Sequence, residues 1–510
     1  MSPKQVAIIG AGAGGSSAAY FLHQFSSSIS QPVNITLFER NSYIGGRSTT
    51  VNAYDDPSQP VELGASIFVE VNRILVEAAK AFNLSTRSFS PDRAETGGPE
   101  LGVWNGQEFV VTMGGGKWWD LGKILWRYGY APIKTKNLMK EMVGKFTKMY
   151  DAPYFPWGSL SDVVEKLGLN RMTGMTGEQY LQQNGVGELF AREIIQASTR
   201  VNYAQNLPLI HGVETMVCMA TDGAMAIEGG NWQLFEGMVK RGVRDVRLET
   251  EVTEVKKLGN GSYEVAWKKA DGDVEVAASS KRFDAVILAA PYQFSNIKMD
   301  ESISKIPDEI PYVKLHVTLF SSPHLLSPAA FNLSPGAAVP QVILTTLQPN
   351  ERPGADPHYA AKAGFFSISL LRTATNPDSI APGRPEYIYK IFSPAPVTSS
   401  FLSHILGVAA SANSNDELDK HDVSWIYRKV WNSYPYEYPR VTFEELKLDD
   451  GLWYTSAIES FVSTMETSTL IGMNVARLMV DEWEETSESS MGKATAFPFD
   501  GKQVPLKSKL

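Results

Sequence analysis

The chain has 510 residues, with 43% hydrophobic and 20% charged side chains and a formal net charge of -9. This length predicts two or three domains or one elaborated α/β unit. The negative net charge argues against a nucleic-acid partner. Cys218 is the sole cysteine, which excludes an intrachain disulfide and a cysteine-rich zinc site. No segment approaches the ~20 apolar residues that a membrane span needs, so we expect none.

A glycine-rich turn near the N-terminus predicts a dinucleotide site. Residues 5–9 read as a buried strand, and the helical pattern SSAAYFLHQF follows the turn. Gly10, Gly12 and Gly15 form a GxGxxG motif, whose glycines permit the tight turn, the approach of pyrophosphate and the packing of helix on strand. Glu39 ends the next predicted strand, NITLFER, where it can accept hydrogen bonds from ribose hydroxyls. An acid there repels a 2′-phosphate, which disfavours NADP.

The segments after the turn indicate which dinucleotide binds. ERNSYIGGRST and VELGASIF contribute Gly45, Gly46, Arg47, Gly64, Ala65 and Ser66. An acid-ending strand followed by a GGR doublet and an ELGA segment resembles FAD-dependent, amine-oxidase-like flavoproteins. The resemblance implies that the paired glycines approach the pyrophosphate and that the arginine supports the cofactor. It also implies that the ELGA backbone lies near the flavin ring.

Two later segments extend this resemblance. Val252, in ETEVTEV, resembles the valine whose backbone meets adenine. Met465, Glu466 and Thr467, in FVSTMETSTLIGMNVA, resemble a helix start that points at the flavin or its ribityl chain, which would make Glu466 a cofactor ligand. The alternative for Glu466 is an ordinary first-turn glutamate that the helix dipole favours.

A narrower resemblance covers most of residues 1–485. The segments STRVNYAQN, LIHGVET, IEGGNWQLFEGMV, YVKLHVTLF and WNSYPYEYP resemble prenylcysteine oxidases. This family resemblance implies an FAD enzyme that oxidises the thioether of farnesyl- or geranylgeranyl-cysteine with molecular oxygen. The products would be a prenyl aldehyde, free cysteine and hydrogen peroxide.

Two other functions stay open at this point. One is an FAD-dependent oxidase of another allylic or amine-type small molecule in a specialised biosynthetic pathway. The other is a flavin-retaining binding protein without turnover, which would hold a flavin that no substrate bleaches. An NAD-linked dehydrogenase would leave the GGR doublet and the C-terminal segment unexplained.

The order of these segments predicts an α/β fold in which a Rossmann-like FAD-binding domain is interleaved with a mixed α+β substrate domain, as in amine oxidases. We predict that the FAD-binding domain comprises residues 1–75, 212–304 and 441–485. Residues 76–211 and 305–440 would form the substrate domain. Residues 486–510 are predicted to be a flexible tail.

The candidate catalytic residues come from the family-like segments. Hydride removal next to sulfur needs a substrate carbon about 3 to 3.5 Å from the acceptor and no strong enzyme base. His211 could handle a proton or be a structural histidine, and Arg200 could bind an amino-acid carboxylate or be a partly exposed ion-pair arginine. Glu228 and Asn231 could border the flavin or belong to a plain turn.

Three further features bear on the site. GGGKWWDLGKILWRYGYAP concentrates the aromatic residues Trp118, Trp119, Trp126, Tyr128 and Tyr130, which could bind an isoprenoid or fill a core. Cys218 reads as a core residue or a covalent flavin link. The seven histidines show no helix-spaced pair, so no metal site is expected.

The C-terminal residues Ser508, Lys509 and Leu510 match the tripeptide that the peroxisomal import receptor reads. The N-terminus lacks a secretory pattern. We therefore expect a peroxisomal location, with the cytoplasm as the alternative.

Overall fold

The computed structural model describes residues 2–88, 98–114, 116–270, 279–353, 359–377, 385–409 and 418–486. The C-terminal tripeptide lies outside these ranges, and so do the side chains of Trp118 and Trp119.

A six-stranded sheet forms around the N-terminal strand. Five adjacent strands of this sheet, including the N-terminal one, are parallel to one another. The sixth strand, at one edge, is antiparallel to its neighbour. In spatial order the strands are Lys447–Asp449, Leu452–Tyr454, Ala285–Leu288, Lys4–Ile9, Val33–Phe38 and Asp245–Arg247. The sequence-predicted strand at residues 5–9 is therefore at the centre, where both faces are buried, as its unbroken apolar pattern requires.

A seven-stranded, mostly antiparallel sheet forms the second layer. In spatial order its strands are Trp425–Pro435, Tyr312–Ser322, Pro385–Ser393, Ser367–Thr375, Val342–Thr345, Leu101–Trp104 and Phe109–Met113. Smaller sheets contain Ser279–Phe283, Tyr263–Lys269, Thr250–Lys257 and Lys298–Met299, then Thr50–Asn52 with Pro60–Glu62, and Thr86–Ser88 with Met225–Ile227. The strand composition confirms the predicted α/β fold class.

Helices pack against the six-stranded sheet, and further helices share its hydrophobic core. The described helices are Ala13–Ser28, Arg73–Ala81, Lys117–Tyr128, Ala131–Phe146, Leu160–Lys166, Asn170–Thr173, Gly177–Gln183, Glu188–Phe190, Gln196–Tyr203, Gly212–Val217, Trp232–Gly242, Ser399–Leu406 and Met465–Thr486, with a π-helical turn at Ala191–Ile195. The first and last of them pack closely, because a Cβ at Gly472 would lie 2.0 Å from the Ser17 hydroxyl oxygen. Among the described residues, no helix has the length and apolar character to cross a bilayer.

The strands of the six-stranded sheet come from residues 4–38, 245–288 and 447–454, and those of the seven-stranded sheet from residues 101–113 and 312–435. The helices over residues 131–190 share one hydrophobic core with the six-stranded sheet. Exact domain boundaries therefore stay a prediction.

Candidate functional site

Two cavities meet in the interior. The nucleotide cavity, about 510 Å³, lies at the glycine-rich turn, and the apolar cavity, about 780 Å³, lies between the seven-stranded sheet and the helices. The residues that line both are Gly64, Ala65, Tyr434, Ser463, Thr464 and Met465. A ligand in one cavity can therefore contact a ligand in the other at this junction.

The predicted cofactor-binding residues divide between the cavities. The nucleotide cavity is lined by Gly10, Gly12, Glu39, Gly45, Gly46, Arg47, Gly64, Ala65, Val252 and Met465. The apolar cavity is lined by Ser66, Glu466 and Thr467, besides the shared residues. Gly15 lines neither, because it packs against the backbone of the turn: a Cβ there would lie 1.9 Å from the Gly10 carbonyl oxygen.

The glycine turn leaves its backbone open to the nucleotide cavity. Gly10 has φ +107°, and a Cβ there would lie 2.7 Å from the Ala289 carbonyl oxygen. Gly12 precedes the first helix, which begins at Ala13. The free N–H groups and the partial positive charge of that helix start therefore face the cavity, as anionic phosphates require.

Glu39 is buried at the end of its strand. Its carboxylate accepts hydrogen bonds from the Ala11 N–H at 2.8 Å and from the Asn41 N–H at 2.9 Å. The Asn41 side-chain amide donates a third bond at 2.6 Å. Since a carboxylate offers about four acceptor positions, Glu39 keeps capacity for a ligand hydroxyl.

Arg47 joins the nucleotide cavity to the seven-stranded sheet. Its guanidinium donates to the Ser433 carbonyl oxygen at 2.7 Å and forms an ion pair with Glu459 at 2.7 Å. Ser48 and Ser433 also line this cavity, and their side-chain hydroxyls are buried without a hydrogen-bond partner among the described residues. Buried polar atoms of this kind fit a polar ligand such as the ribityl and phosphate groups of FAD.

Asn231 holds the ELGA segment in place. Its side-chain amide donates to the Ala65 carbonyl oxygen at 2.9 Å, and its side-chain oxygen accepts from the Ile227 N–H at 2.8 Å. Its backbone N–H donates to the Glu62 carboxylate at 2.6 Å. The buried side chain faces this segment and lines neither cavity, so the position of Asn231 at the border of the flavin stays a prediction.

Glu228 lies in the turn before the helix Trp232–Gly242. Its side chain is exposed and lines neither cavity, whereas the next two residues, Gly229 and Gly230, line the apolar cavity. Its backbone N–H donates to the Ser85 carbonyl oxygen at 2.9 Å. These observations favour the alternative that Glu228 belongs to a plain turn.

The carboxylate of Glu466 accepts hydrogen bonds at the start of another helix. It accepts hydrogen bonds from the N–H groups of Ile74 at 2.8 Å and Leu75 at 3.0 Å, at the start of the helix Arg73–Ala81, and from the Tyr150 hydroxyl at 2.8 Å. Burial raises the pKa of Glu466 to about 7. The carboxylate therefore has a structural partner set of its own, and the role of Glu466 as a cofactor ligand stays a prediction.

Arg200 is fully buried and lines neither cavity. Its guanidinium donates to the Asn206 side-chain oxygen at 3.0 Å, the Thr345 hydroxyl at 3.2 Å and the Tyr359 carbonyl oxygen at 3.0 Å. Burial lowers the pKa of Arg200 to about 10. The partly exposed ion pair is wrong, since this buried arginine joins a helix to the seven-stranded sheet, and the carboxylate-binding role of Arg200 stays a prediction.

His211 lies in a buried cluster behind the apolar cavity. Its Nδ1 accepts from the Glu214 N–H at 3.1 Å, and its Nε2 lies 3.6 Å from the Glu437 carboxylate. Burial lowers the pKa of His211 to about 3, so the ring is neutral. Burial also raises the pKa values of Glu214 and Glu437. His211 lines neither cavity, which favours the structural alternative, and its catalytic role stays a prediction.

The apolar cavity has a wall that sequence reasoning partly missed. Representative lining side chains are Leu75, Phe146, Ile194, Val201, Leu344 and Phe392. Cys218 lines this cavity, and burial raises the pKa of its thiol. Trp126, Tyr128 and Tyr130 do not line it, so the predicted isoprenoid role of this aromatic segment is not supported.

Lys390 is a buried cation in the apolar cavity that the sequence did not reveal. Its ammonium donates to the Glu62 carbonyl oxygen at 2.9 Å and to the Ser66 hydroxyl at 2.9 Å. Burial lowers the pKa of Lys390 and raises that of the Glu62 carboxyl. Both contacts flank Gly64 and Ala65, so Lys390 fixes the segment at the junction.

Within the described ranges, no group of three or more His, Cys, Asp or Glu side chains is arranged to hold a metal ion. The polar groups around the nucleotide cavity and the apolar wall beyond it suit an organic cofactor and an apolar substrate.

Comparisons with known proteins agree with this geometry. A family model described as prenylcysteine lyase matches residues 114–492, and a model for an NAD(P)-binding Rossmann-like domain matches residues 8–79. Farnesylcysteine lyase from Arabidopsis thaliana is 28% identical over 501 residues, with 94% of this chain and 89% of that protein covered. Prenylcysteine oxidase 1 from Homo sapiens is 26% identical over 530 residues, with 100% and 94% covered.

Two solved structures share the fold. A triple mutant of putrescine oxidase has a TM-score of 0.56 at 13% identity and covers 94% of this chain and 99% of its own. Cyclohexylamine oxidase from Brevibacterium oxydans IH-35A has a TM-score of 0.54 at 16% identity and covers 95% and 100%. At these identities the likeness establishes the fold alone.

The fold and the joined cavities define an FAD-dependent oxidoreductase, as the GGR and ELGA segments predict. The prenylcysteine lyase model matches more than half of the chain. The chain therefore belongs to the prenylcysteine lyase family.

Proposed function

We propose that the protein oxidises prenylcysteines such as farnesylcysteine at the carbon next to sulfur. The observation that carries this proposal is the junction of an apolar cavity of about 780 Å³ with the nucleotide cavity through six shared residues. A prenyl chain in the apolar cavity would have its sulfur end at the junction. The names of the relatives from Arabidopsis thaliana and Homo sapiens support this substrate class.

The overall reaction consumes the thioether, molecular oxygen and water, and yields a prenyl aldehyde, cysteine and hydrogen peroxide. One C–S bond breaks, the substrate carbon is oxidised by two electrons, and oxygen is reduced by two. When bound, FAD supplies the acceptor for the hydride. The sulfur and the allylic double bond stabilise the positive charge that hydride loss leaves on the substrate, so no enzyme base is required for that step.

The residues of the chain then position and shield the reacting carbon. Gly64 and Ala65 present backbone at the junction, and Lys390 holds them through Glu62 and Ser66. The apolar side chains around the cavity exclude water from the prenyl chain. Binding energy from this remote chain can therefore serve to orient the reacting carbon.

Product analysis tests the proposal. The FAD-loaded protein is incubated in air with farnesylcysteine and, separately, with S-allylcysteine, which keeps the sulfur and the allylic carbon but lacks the long apolar chain. We expect farnesal, cysteine and peroxide in equal amounts, and a kcat/KM at least about a hundredfold lower for S-allylcysteine. Absence of farnesal from a protein that retains FAD would refute the prenylcysteine proposal and direct attention to other allylic or amine-type substrates.

We also propose import into peroxisomes through Ser508, Lys509 and Leu510. A fluorescent protein fused to the N-terminus is expected to colocalise with a peroxisomal marker. Removal of Leu510 should disperse it into the cytoplasm. Equal distribution of the two fusions would refute this proposal.

A further inference from the structure

A pair of helices presents large apolar side chains to solvent. On the helix Lys117–Tyr128, the following loop and the helix Ala131–Phe146, the exposed apolar residues are Leu121, Leu125, Trp126, Tyr130 and Ile133. Trp126 is 88% exposed and Tyr130 is 78% exposed. On the first helix, Trp126 lies on the side opposite to Ile124 and Tyr128, which pack inward. We call this exposed set the helical-pair surface.

The segment that contains this surface is basic, although the protein as a whole is acidic. Residues 117–148 contain eight lysines and arginines and two acidic residues, a net charge of +6, whereas the chain as a whole carries -9. Lys134, Lys136, Lys140 and Lys148 are exposed. Arg127, by contrast, is held in a paired hydrogen bond with Glu193 at 2.8 Å. The residues that follow the exposed aromatic rings in the sequence therefore include several exposed lysines.

We propose that the helical-pair surface docks on the surface of an anionic lipid bilayer. Tryptophan and tyrosine rings favour the boundary between head groups and acyl chains, because they have an apolar body and a polar edge. Lysines on an amphipathic helical surface bind anionic head groups while their apolar stems remain at the boundary. The remainder of the protein is acidic and is repelled by the same lipids, so the charge distribution orients this surface toward the bilayer.

One helix carries residues of both the helical-pair surface and the apolar cavity. The helix Ala131–Phe146 carries Ile133 near its start and Met142, Val143 and Phe146, which line the cavity, near its end. Nine residues of helix separate Ile133 from Met142, or about 14 Å. Docking would bring the cavity close to the lipid phase in which apolar molecules accumulate. Binding to a bilayer is a property beyond the proposed function, and it can be measured without turnover of a substrate.

The test is vesicle flotation of the FAD-loaded protein. Vesicles contain phosphatidylcholine alone or with about one part in four of phosphatidylserine. The first variant is Trp126→Ser with Tyr130→Ser, and its control is Ile306→Ser with Val441→Ser, at apolar positions that are exposed elsewhere. The second is Lys136→Glu with Lys140→Glu, and its control is Lys166→Glu with Lys420→Glu, at exposed lysines elsewhere. FAD content and circular dichroism verify that each variant is folded.

We expect the wild type and both controls to float with the anionic vesicles, and less with phosphatidylcholine alone. Each surface variant should partition at least about tenfold less. Absence of wild-type binding would overturn the inference. So would equal losses in variants and controls, or a wild-type dimer that both surface variants abolish, since a second copy of the chain would then cover this surface.

Discussion

Gly12 and Gly46 face each other in the nucleotide cavity, where a Cβ on Gly46 would lie only 3.1 Å from the Gly12 Cα. Gly46 also has φ +60°, a conformation that costs other residues about 1 kcal/mol or more. The two glycines come from segments far apart in the sequence, and together they leave a backbone-lined gap for the cofactor.

Gly12→Ala is expected to lose FAD without loss of the fold. The new methyl group would lie in the cavity, and the nearest atom beyond its chain neighbours would be Gly46 Cα at 3.9 Å. We expect FAD affinity to fall about tenfold or more, because the methyl group obstructs the approach of pyrophosphate to the backbone. Flavin absorbance per protein after titration with FAD measures this. Gly144→Ala, on an open helix surface, is the control and should bind as the wild type does. Full binding by Gly12→Ala would contradict the assigned cofactor position.

Glu466→Ala is expected to destabilise the protein. It leaves the N–H groups of Ile74 and Leu75 and the Tyr150 hydroxyl without their buried acceptor, at a cost of about 2–3 kcal/mol in the free energy of unfolding. Glu466→Gln keeps one acceptor oxygen and should lose less. Urea unfolding of the apoprotein measures both. An apoprotein of unchanged stability that binds FAD poorly would instead support the side-chain ligand role.

The raised pKa of Glu466 also predicts a pH dependence. As pH rises from 4.5 toward 7, the carboxyl loses its proton in the unfolded chain but retains it in the fold, where burial raises its pKa to about 7. Stability contributed by this group is therefore lost across this window, at up to about 1.4 kcal/mol per pH unit. The free energy of unfolding of the wild type, minus that of Glu466→Gln, should therefore decrease as pH rises through this window. A stability difference that is independent of pH would refute the prediction.

Lys390→Met should impair turnover more than cofactor binding. The methionine keeps the length of the side chain but removes its hydrogen bonds to the Glu62 carbonyl oxygen and the Ser66 hydroxyl. Because these residues flank the junction, we expect kcat/KM for farnesylcysteine to fall about ten- to a hundredfold through misplacement of the reacting carbon. FAD content should stay near that of the wild type, since Lys390 does not line the nucleotide cavity. Lys420→Met, at an exposed lysine, is the control, and equal kinetics for both variants would count against this role.

The nucleotide cavity was predictable because its chemistry is local. The turn from Gly10 to Gly15, the GGR doublet and the ELGA segment each carry their function in the backbone or in adjacent residues, so a short motif reveals them. The acid at Glu39 follows from the length of one strand–helix–strand unit. These positions line the nucleotide cavity or its junction, with Gly15 packed behind it.

The surroundings of the polar residues proposed for catalysis could not be predicted, because burial and hydrogen-bond partners depend on tertiary packing. Arg200, His211 and Asn231 lie in family-like segments, but their side chains face buried backbone and carboxyl groups of elements far away in sequence. Lys390 shows the reverse case. It lies in the strand Pro385–Ser393 without any motif, and only the pairing of strands carries it to Ser66, 324 residues away.

The aromatic segment around Trp126 shows a further reason why sequence analysis did not predict the surroundings of its residues. Trp126 and Tyr130 lie in an apolar-rich sequence that suggests a core or a pocket, yet both side chains are exposed. The helical period places Ile124 and Tyr128 on the buried side and leaves the others outward. Sequence periodicity defines the two sides of such a helix but does not reveal which molecule covers the outer one.

The central claim is that a prenylcysteine in the apolar cavity reduces a flavin held in the nucleotide cavity. Anaerobic addition of farnesylcysteine to the FAD-loaded protein, followed by the visible absorption of the flavin, tests it most directly. The account predicts rapid bleaching of the flavin band, and its recovery with peroxide and farnesal when air is admitted. A flavin that stays oxidised in the presence of saturating farnesylcysteine would contradict the account.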